Sequence, residues 1–473
     1  MDKTTKFFFS IGARGETQAA AATHFVSPDG EHKQVDAKVV YLGTRKTRML
    51  DRWLDRIVAL SGSNAVLIFT VIALACWALL GIKFADQTGW QVGISDAQAI
   101  INMVFDSFLV RQQLNAYDET MEILCQLQSR AESHRRMLRA LGPRPLGPRV
   151  SNQRLLTQDL PTQDGIFARF CVKASAFMGH IGTVTAYWIC IGVWLGFGHY
   201  CKWSSTWFFY INSATSALMV LLLAFLANNR ERHEKHLQDC VSLIYTADAT
   251  LERMLREKTG DKIENRICTI AAPHVGKIQR VINFYADLVG TLLGIALLAL
   301  VMIVWVVLGP IMSFNDNWWL LIGTYAGLIG MNDGFVLRNL CNVCNIREEE
   351  QHDQRILDDK DLLAILGLTD STENEEPKLG LNSRLSIIMG TVCSHEYTVV
   401  AGVFVILALI AIATAMKWSE LGQIICNVPP SIVESFFTLI LITGHNLGDQ
   451  KREESLREIQ RSRLRLIDYL EGM

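Results

Sequence analysis

Eight long apolar runs, grouped in four pairs, constrain this chain more than any other feature. Each run has about the 20 apolar residues that a helix needs to cross the hydrocarbon core of a bilayer. The connections within a pair are short, and those between pairs are long and charged. The sequence therefore predicts an all-α, polytopic membrane protein with eight transmembrane helices. The runs lie at 64–83 and 94–113, 174–198 and 208–228, 287–309 and 318–340, and 396–416 and 421–443.

A spaced pattern, Trp-x3-Gly-x8-Trp, recurs at the end of the first run of three pairs. Identical spacing in successive segments indicates internal duplication, so the pairs are predicted to be repeated helical hairpins. In the fourth pair the pattern is lost, with Ala413 and Lys417 expected where Trp and Gly would fall. The three copies are Trp77, Gly81 and Trp90; Trp194, Gly198 and Trp207; and Trp305, Gly309 and Trp318.

The distribution of basic residues predicts the orientation of these hairpins. Of the 45 Lys and Arg, only Lys83, Lys202 and Lys417 lie in the four short connections. Basic residues are retained on the cytosolic side of membrane proteins, so both termini and the long loops are expected in the cytosol. Tryptophans near the short connections would anchor the outer interface.

After the second run of each pair, a charged stretch continues with one apolar stripe, such as Leu237, Cys240, Val241 and Ile244. Apolar residues at this spacing indicate an amphipathic helix. We expect four long cytosolic helices that pack together, the alternative being that they lie on the inner leaflet. The predicted units are a disordered N-terminal segment 1–50, hairpins with their cytosolic helices at 51–141, 168–257, 258–368 and 384–473, a linker 142–167 and an acidic loop 369–383.

The composition excludes several classes of function. The chain is 50% hydrophobic and 19% charged, below the ~25% charge of a typical soluble protein. A net charge of −2 argues against a nucleic-acid partner. The eleven cysteines have no framework spacing and are interpreted as reduced thiols. No phosphate-binding loop, nucleotide fingerprint or catalytic triad is visible, so neither an enzyme nor a resident cofactor is expected.

Three carboxylic acids lie inside apolar runs of otherwise equivalent helices: Asp106, Asp333 and Glu434. A charged side chain at mid-bilayer costs about 2.5 kcal/mol or more, which makes such residues functional candidates. If the three acids face one axis, they require protons or a cation, because no Lys or Arg lies at the same depth. A divalent cation is the natural partner. Alternatively, each acid could bond a neighbouring helix, or Asp106 and Asp333 could pair with Arg111 or Arg338.

Other donors could complete a metal site near these acids. Amide, carboxylate and thioether ligands together suit borderline ions such as Fe²⁺. The candidates are Asn102, Asn332, Asp96, Asn427, Met103 and Met331. His233 and His236 could accept the metal at the cytosolic end, although a solvated helix end is the simpler interpretation. Cys341 and Cys344, with His352, form a weaker candidate exit site. Pro429 and Pro430 are expected to interrupt the last helix.

Two segments, WQVGISDAQAIINMVFDSFLVRQQL and WFFYINSATSALMVLLLAFLANNRERHEKH, resemble the fungal low-affinity iron permease family. The likeness extends over about residues 50–470. It implies a plasma-membrane carrier that imports Fe²⁺, with loose selectivity toward Cu, Zn and other divalent ions. The residues that match the family's polar pattern are Asp96, Gln98, Asp106, Arg111 and Gln112.

The prediction is therefore low-affinity import of divalent transition metals across the plasma membrane, driven by the membrane potential without ATP. The expected partners are the metal ion and the lipid bilayer, with a possible homo-oligomer through the cytosolic helices. Two alternatives remain open: a membrane scaffold that transports nothing, and a non-selective cation channel.

Overall fold

The computed structural model describes residues 15–24, 49–84, 87–142, 165–368 and 381–473. Within them the chain forms four similar units, each with a short helix, an apolar helix and a long helix. The linker and the acidic loop lie almost entirely outside the described residues. The units are α1 Met49–Ser61, α2 Asn64–Phe84 and α3 Thr88–Leu141; α4 Ile166–Met178, α5 Ile181–Phe197 and α6 Ser205–Thr259; α7 Lys277–Gly290, α8 Leu292–Ile311 and α9 Asp316–Ile365; and α10 Leu381–Ser394, α11 Glu396–Ala415 and α12 Glu420–Glu471.

Each long helix begins at an N-cap in extended or near-extended backbone conformation, and these caps give the four units a common register. The side chains of Ser204, Asn315 and Ser419 accept hydrogen bonds from backbone N–H groups of the first helical turn. Such bonds satisfy donors that a helix start leaves unpaired. Gln87 occupies the same position in the first unit without a side-chain cap bond.

The repeated tryptophans join the apolar helix to the long helix of their own unit. Trp305 and Trp318 stack with ring centroids 4.3 Å apart and 3° between planes. Each indole also donates to the other's backbone carbonyl, at 3.1 and 2.8 Å. Trp77 and Trp90 stack in the same way, as do Trp194 and Trp207. The sequence pattern therefore encodes a clasp that closes the turn between two helices.

The turn itself is present in the fourth unit as well, but in a different register from the one expected. The N–H groups of Trp203, Phe314 and Trp418 donate to the carbonyls of Gly198, Gly309 and Ala413, respectively. Ala413 therefore takes the glycine position, and not the first tryptophan position. Leu409 and Gly422 take the two tryptophan positions. The expected alignment was wrong because it did not use the N-cap residue of the long helix, Ser419, which sets the register of this turn.

The four long helices pack side by side in a ring with the order α3, α6, α12 and α9. In this ring α3 lies diagonally opposite α12, and α6 lies diagonally opposite α9. The apolar helices α2, α8 and α11 lie outside it, with most of their surface exposed. Such exposed apolar surface is typical of helices that face lipid.

Six of the described helices are long and apolar enough to cross a membrane: α2, α6, α8, α9, α11 and α12. The bent pair α4 and α5, with 57° between its helices, makes a seventh if it counts as one span. Eight spans were predicted. The first part of α3 falls short because polar residues such as Gln98 and Asn102 lower its hydropathy, and α5 falls short because it has only 17 residues.

The prediction that the long helices continue into charged segments is confirmed. These distal halves, which follow residues 113, 228, 340 and 443, pack on one another around a second apolar core that includes Leu138, Leu251, Leu362 and Leu466. Arg463 bridges Asp248 and Asp359 across this bundle at 2.5 and 2.6 Å. The apolar stripes are thus used within the chain, which disagrees with the alternative that they lie flat on a leaflet.

Part of the N-terminal segment that was expected to be disordered forms a strand. β1, Thr17–Ala19, pairs antiparallel with β2, Cys268–Ile270. Ala21 is buried, and its N–H donates to Ser129 of α3 at 3.2 Å. Backbone pairing of this kind is a long-range contact that local composition does not encode.

Candidate functional site

The common register shows which residues of the ring face its axis. Counting from the four N-caps, the residues at positions eight, twelve, fifteen and nineteen recur on the inner face of the first halves. Their side chains are small or bear oxygen, nitrogen or sulfur, with few exceptions. They are Ser95, Ala99, Asn102 and Asp106 on α3; Asn212, Ser216, Met219 and Leu223 on α6; Gly323, Gly327, Gly330 and Gly334 on α9; and Asn427, Ser431, Glu434 and Thr438 on α12.

A small pocket lies at the start of this axis. All four residues at position eight line it, namely Ser95, Asn212, Gly323 and Asn427. Asp96 also lines the pocket, is 6% exposed, and has one carboxylate oxygen with no hydrogen-bond partner in the described chain. The pairing of Asp96 and Asn427 predicted from sequence is therefore present at one end of the axis. A pocket of oxygen ligands around an unpaired carboxylate favours a cation.

Two residues meet across the diagonal of the ring further along the axis. The amide nitrogen of Asn102 on α3 donates to Oε1 of Glu434 on α12 at 2.8 Å. Both residues occupy position fifteen and both are fully buried. The second carboxylate oxygen of Glu434 and the amide oxygen of Asn102 have no hydrogen-bond partner among the described residues. Unsatisfied oxygens on a shared axis are potential ligands.

Glycine at position fifteen of α9 makes this arrangement possible. A Cβ atom on Gly330 would lie 2.7 Å from Oε1 of Glu434 and 3.0 Å from its Cδ, closer than real contacts allow. Gly327 approaches the carbonyl oxygen of Cys426 in a similar way, with a distance of 3.0 Å from its hypothetical Cβ. The glycine face of α9 therefore lets the backbone approach α12 and leaves room for the carboxylate.

Asp106 lies one turn further along α3, and its charge interacts with those of Glu434 and Asp333. It is 3% exposed, and its Oδ2 has no hydrogen-bond partner in the part of the chain that the structure describes. The alternative that Arg111 neutralises it is wrong. Arg111 instead binds Asp55 at 2.7 Å and Asp51 at 3.3 Å, both on α1. Asp106 and Glu434 thus need a proton or a cation for neutrality.

Asp333 does not share this axial position. It lies at position eighteen of α9, and its Oδ1 accepts a hydrogen bond from the hydroxyl of Tyr285 on α7 at 2.5 Å. Asn332 also lies beside Tyr285 and Asp333. Matching the acids by distance from the tryptophans placed Asp333 at the depth of Asp106, but one residue of helical rotation turns it toward α7. Asp333 and Asn332 are therefore held by a neighbouring helix, as the alternative interpretation proposed.

The methionines predicted as soft ligands are not on the axis, but a different methionine is. Met103 packs in an apolar cluster with Trp305 and Trp318. Met331, one position beyond Gly330, packs in the central apolar core. Met219, at position fifteen of α6, has its sulfur 3.7 Å from the Ser435 hydroxyl of α12. Alignment of the four N-caps is the signal that could have identified Met219.

The two histidines of the predicted exit site each lie beside a different acid in the structure. The Nε2 atom of His233 lies 3.2 Å from Oδ1 of Asp449, and that of His236 lies 3.9 Å from Oε1 of Glu453. Both acids are on α12, so the histidines connect α6 to α12 individually. The thiol of Cys240 lies 3.7 Å from the His236 ring as well. The ring centroids of His233 and His236 lie 6.1 Å apart, and their joint role as an exit site stays a prediction.

Within the described residues, no three His, Cys, Asp or Glu side chains lie close enough to hold a metal ion together. The donors at the axis are therefore two carboxylates, from Asp106 and Glu434, supplemented by the Asn102 amide and the Met219 thioether. This set resembles a weak, transient site more than a permanent one. It mixes hard and soft donors, as borderline divalent ions prefer.

A ring of four leucines closes the axis beyond the acids. Leu109, Leu226, Leu337 and Leu441 all stand at position twenty-two, one from each long helix. All four are buried in one apolar cluster. An apolar constriction resists the entry of a hydrated ion. The axis is thus polar from the pocket to the acids and sealed by leucine on the other side.

The two prolines of α12 leave the helix continuous from Glu420 to Glu471, so the expected interruption is absent. Proline lacks the N–H that would reach the carbonyl four residues earlier, which frees the carbonyls of Ile425 and Cys426. The close approach of Gly327 to the Cys426 carbonyl supports the helix at this point.

Comparison with known proteins gives a family match and similar relatives. A family model described as low affinity iron permease matches residues 167–265 and 382–468. The low-affinity iron/zinc ion transport protein of Schizosaccharomyces pombe is 33% identical over 94% of this chain and 77% of its own length. The low-affinity Fe(2+) transport protein of Saccharomyces cerevisiae is 30% identical over 89% of this chain and 83% of its own length. No solved structure matches the chain. This multi-pass, metal-ion-transporting membrane protein belongs to the low-affinity iron permease family.

Proposed function

We propose that this protein imports divalent transition-metal ions with low affinity across the plasma membrane, Fe²⁺ first and also Zn²⁺ and Cu²⁺. The observation that carries the proposal is the pair of buried carboxylates, Asp106 and Glu434, each with one oxygen that has no hydrogen-bond partner among the described residues. The names of the two relatives support iron and zinc as substrates. Copper is implied by the family resemblance, and the thioether of Met219 suits the softer Cu⁺ ion.

The proposed topology has eight spans and cytosolic termini. The first half of α3 is the seventh span and the bent pair α4 and α5 is the eighth. A polar helix such as α3 is tolerated in a membrane when its polar face lines the bundle interior, as the face of Asn102 and Asp106 does. The distal halves, which carry most of the Arg residues, then lie in the cytosol in accordance with the positive-inside rule.

The route follows from this topology. The ion enters the outer pocket at Asp96 and Asn427, and it is held by Asp106, Glu434 and Asn102. It then passes toward the cytosol when the leucine ring opens. Movement of a divalent ion down a potential of 100 mV releases about 4.6 kcal/mol, twice the value for a single charge, so no ATP is required. When the divalent ion leaves, two protons, one on each carboxylate, restore neutrality.

The test is flux through purified protein in liposomes. Asp106→Asn and Glu434→Gln keep the shape of each side chain but remove its charge, so we expect uptake of radioactive Fe²⁺ to be abolished while folding is retained. Asp333→Asn is the control, because the Tyr285 hydroxyl of α7 already binds that carboxylate, and we expect uptake to be retained. Uptake at the wild-type rate in both Asp106→Asn and Glu434→Gln would reject this site.

The same liposomes discriminate between the competing functions. A scaffold protein would give no flux of any ion in the wild type. A non-selective channel would conduct K⁺ as readily as Fe²⁺, which the leucine ring opposes. A homo-oligomer through the cytosolic helices stays a prediction, and their main apolar stripes pack within one chain.

A further inference from the structure

A second pocket lies on the axis of the bundle formed by the distal halves. One residue from each long helix lines it at the same register, thirty-seven positions after the N-cap: Leu124, Val241, His352 and Leu456. Because residues of all four helices line this pocket, it extends to the axis of the ring. The pocket lies twenty-two residues beyond Glu434 along the helices, which corresponds to about 33 Å. Glu119 of α3 and Gln238 of α6 line it as well.

His352 is the only polar member of this layer. It is 3% exposed, and neither of its ring nitrogens has a hydrogen-bond partner among the described residues. Burial lowers the pKa of His352 to about 3, so the imidazole is neutral at physiological pH and retains a lone pair. A buried polar group without a partner costs about 1–3 kcal/mol, and the three apolar residues of the layer show that leucine would fit there. The histidine is therefore unfavourable for packing alone.

Two carboxylates line the same pocket, those of Glu119 on α3 and Glu234 on α6. Burial, together with the negative charge of Glu119, raises the pKa of Glu234 to about 7. A cation between them would relieve this repulsion. Arg452 also lines the pocket, but its guanidinium binds Glu348, and Asp449 at 3.4 Å. The cationic residue in the pocket is thus already committed to acids on and beside its own helix.

We propose that this pocket is a second binding site for divalent transition-metal ions, in which His352 and a carboxylate of Glu234 or Glu119 are the protein ligands. An imidazole with a carboxylate suits Fe²⁺ and Zn²⁺. Since no three such side chains are grouped within the described residues, water completes the coordination and binding is weak and reversible. The role of the site as the cytosolic acceptor beyond the leucine ring rests on the proposed transport function. Binding itself does not.

The site replaces the exit that the sequence suggested. His233 and His236 are connected individually to acids of α12, whereas His352 lines a pocket together with two carboxylates, Glu119 and Glu234. An ion that passes the leucine ring would reach this pocket only beyond the level of Gln113, Arg230, Cys341 and His445.

The experiment measures Zn²⁺ binding to the purified full-length chain in detergent, by competition with a chromophoric chelator. The background is the double variant Asp106→Asn with Glu434→Gln, which removes the acids of the membrane axis. We expect this background to bind one Zn²⁺ per chain. His352→Leu should weaken that binding by more than the ~10-fold that loss of an outer-shell partner causes, because it removes a ligand. Glu234→Gln should weaken it in the same direction.

His134→Leu is the matched control. His134 is also fully buried with both ring nitrogens unpartnered in the described chain, and its layer mates are Leu251, Leu362 and Leu466. The charges of three arginines, Arg463, Arg130 and Arg256, act on His134, whereas that of Arg452 alone acts on His352, so His134 is the less favourable position for a cation. We expect His134→Leu to bind Zn²⁺ as the background does.

Three outcomes would overturn the site: no Zn²⁺ binding in the background, equal binding after His352→Leu, or equal loss after His134→Leu. Thermal unfolding of each variant shows whether it is folded, and His352→Leu is expected to be as stable as the background or more so. Failure of the transport proposal would show separately, as normal Fe²⁺ flux in the Asp106→Asn and Glu434→Gln variants, and would leave this titration interpretable.

Discussion

Gly330→Ala should disable the axial site without removing any of its ligands. The new Cβ would lie 2.7 Å from Oε1 of Glu434, and ordinary contact begins at 3.4 Å, so the carboxylate must move by about 0.7 Å. N–H···O hydrogen bonds span donor–acceptor distances of about 2.7–3.2 Å, and a shift of about 0.7 Å exceeds the width of that range. The 2.8 Å bond from Asn102 to Glu434 is then lengthened or misdirected.

The magnitude follows from this bond. A hydrogen bond to a charged group contributes about 1.5–3 kcal/mol, which corresponds to roughly a 10- to 100-fold loss of affinity for the ion. We expect the KM for Fe²⁺ uptake in liposomes to rise by that factor. Adding Gly330→Ala to Glu434→Gln should cause little further loss, because both changes act on the same carboxylate.

Gly334→Ala provides the control on the same face of the same helix. Its Cβ would lie 3.8 Å from Cβ of Phe437 and 3.9 Å from Cγ of Glu434, which are ordinary contacts. Alanine also favours the helix by about 1 kcal/mol relative to glycine. We expect wild-type uptake and equal or greater stability. Equal KM values for Gly330→Ala and Gly334→Ala would refute the proposed role of Glu434.

Three further predictions concern other levels of the bundle. Leu226→Ala should raise background cation leak through the leucine ring in liposomes. Leu222→Ala, which is equally buried but at position eighteen, should lower stability by about the same 2–5 kcal/mol as Leu226→Ala but cause no leak. Absence of leak in Leu226→Ala would contradict the role of the leucine ring as a gate. Trp305→Leu should lower the unfolding temperature in detergent, because it removes a stacked pair worth about 0.5–1.5 kcal/mol and two indole hydrogen bonds; an unchanged temperature would contradict the clasp. Burial lowers the pKa of His352 to about 3, so below pH 6.5 the unfolded chain binds a proton there and the native chain does not. The free energy of unfolding should therefore fall by roughly 2 kcal/mol between pH 7 and pH 5. His352→Leu should flatten this pH dependence in thermal unfolding.

Much of the architecture was accessible from local patterns. The tryptophan spacing identified helix pairs because the clasp between Trp305 and Trp318 is a contact within one turn, and such contacts have a fixed separation in sequence. The long distal helices were predicted for a similar reason, since an apolar stripe with a period of 3.6 residues already describes the face that will be buried.

The site was only partly accessible. Asn102, Asp106, Glu434, Asp96 and Asn427 were selected because polar groups are rare inside apolar runs. Asp333 was misplaced, since a one-residue difference in register is a rotation of about 100° and turns the side chain from the axis to α7. The contribution of Gly330 could not be predicted, because a glycine matters here only through the neighbouring side chain for which it leaves room.

The sequence by itself determined that this chain is a multi-pass, all-α membrane protein with acids inside its apolar runs, because hydropathy and helical periodicity are local properties. Only the tertiary structure decided which of those acids meet, since the order α3, α6, α12 and α9 around the ring places Asn102 opposite Glu434. That order depends on how four helices pack together, and no window of neighbouring residues contains it.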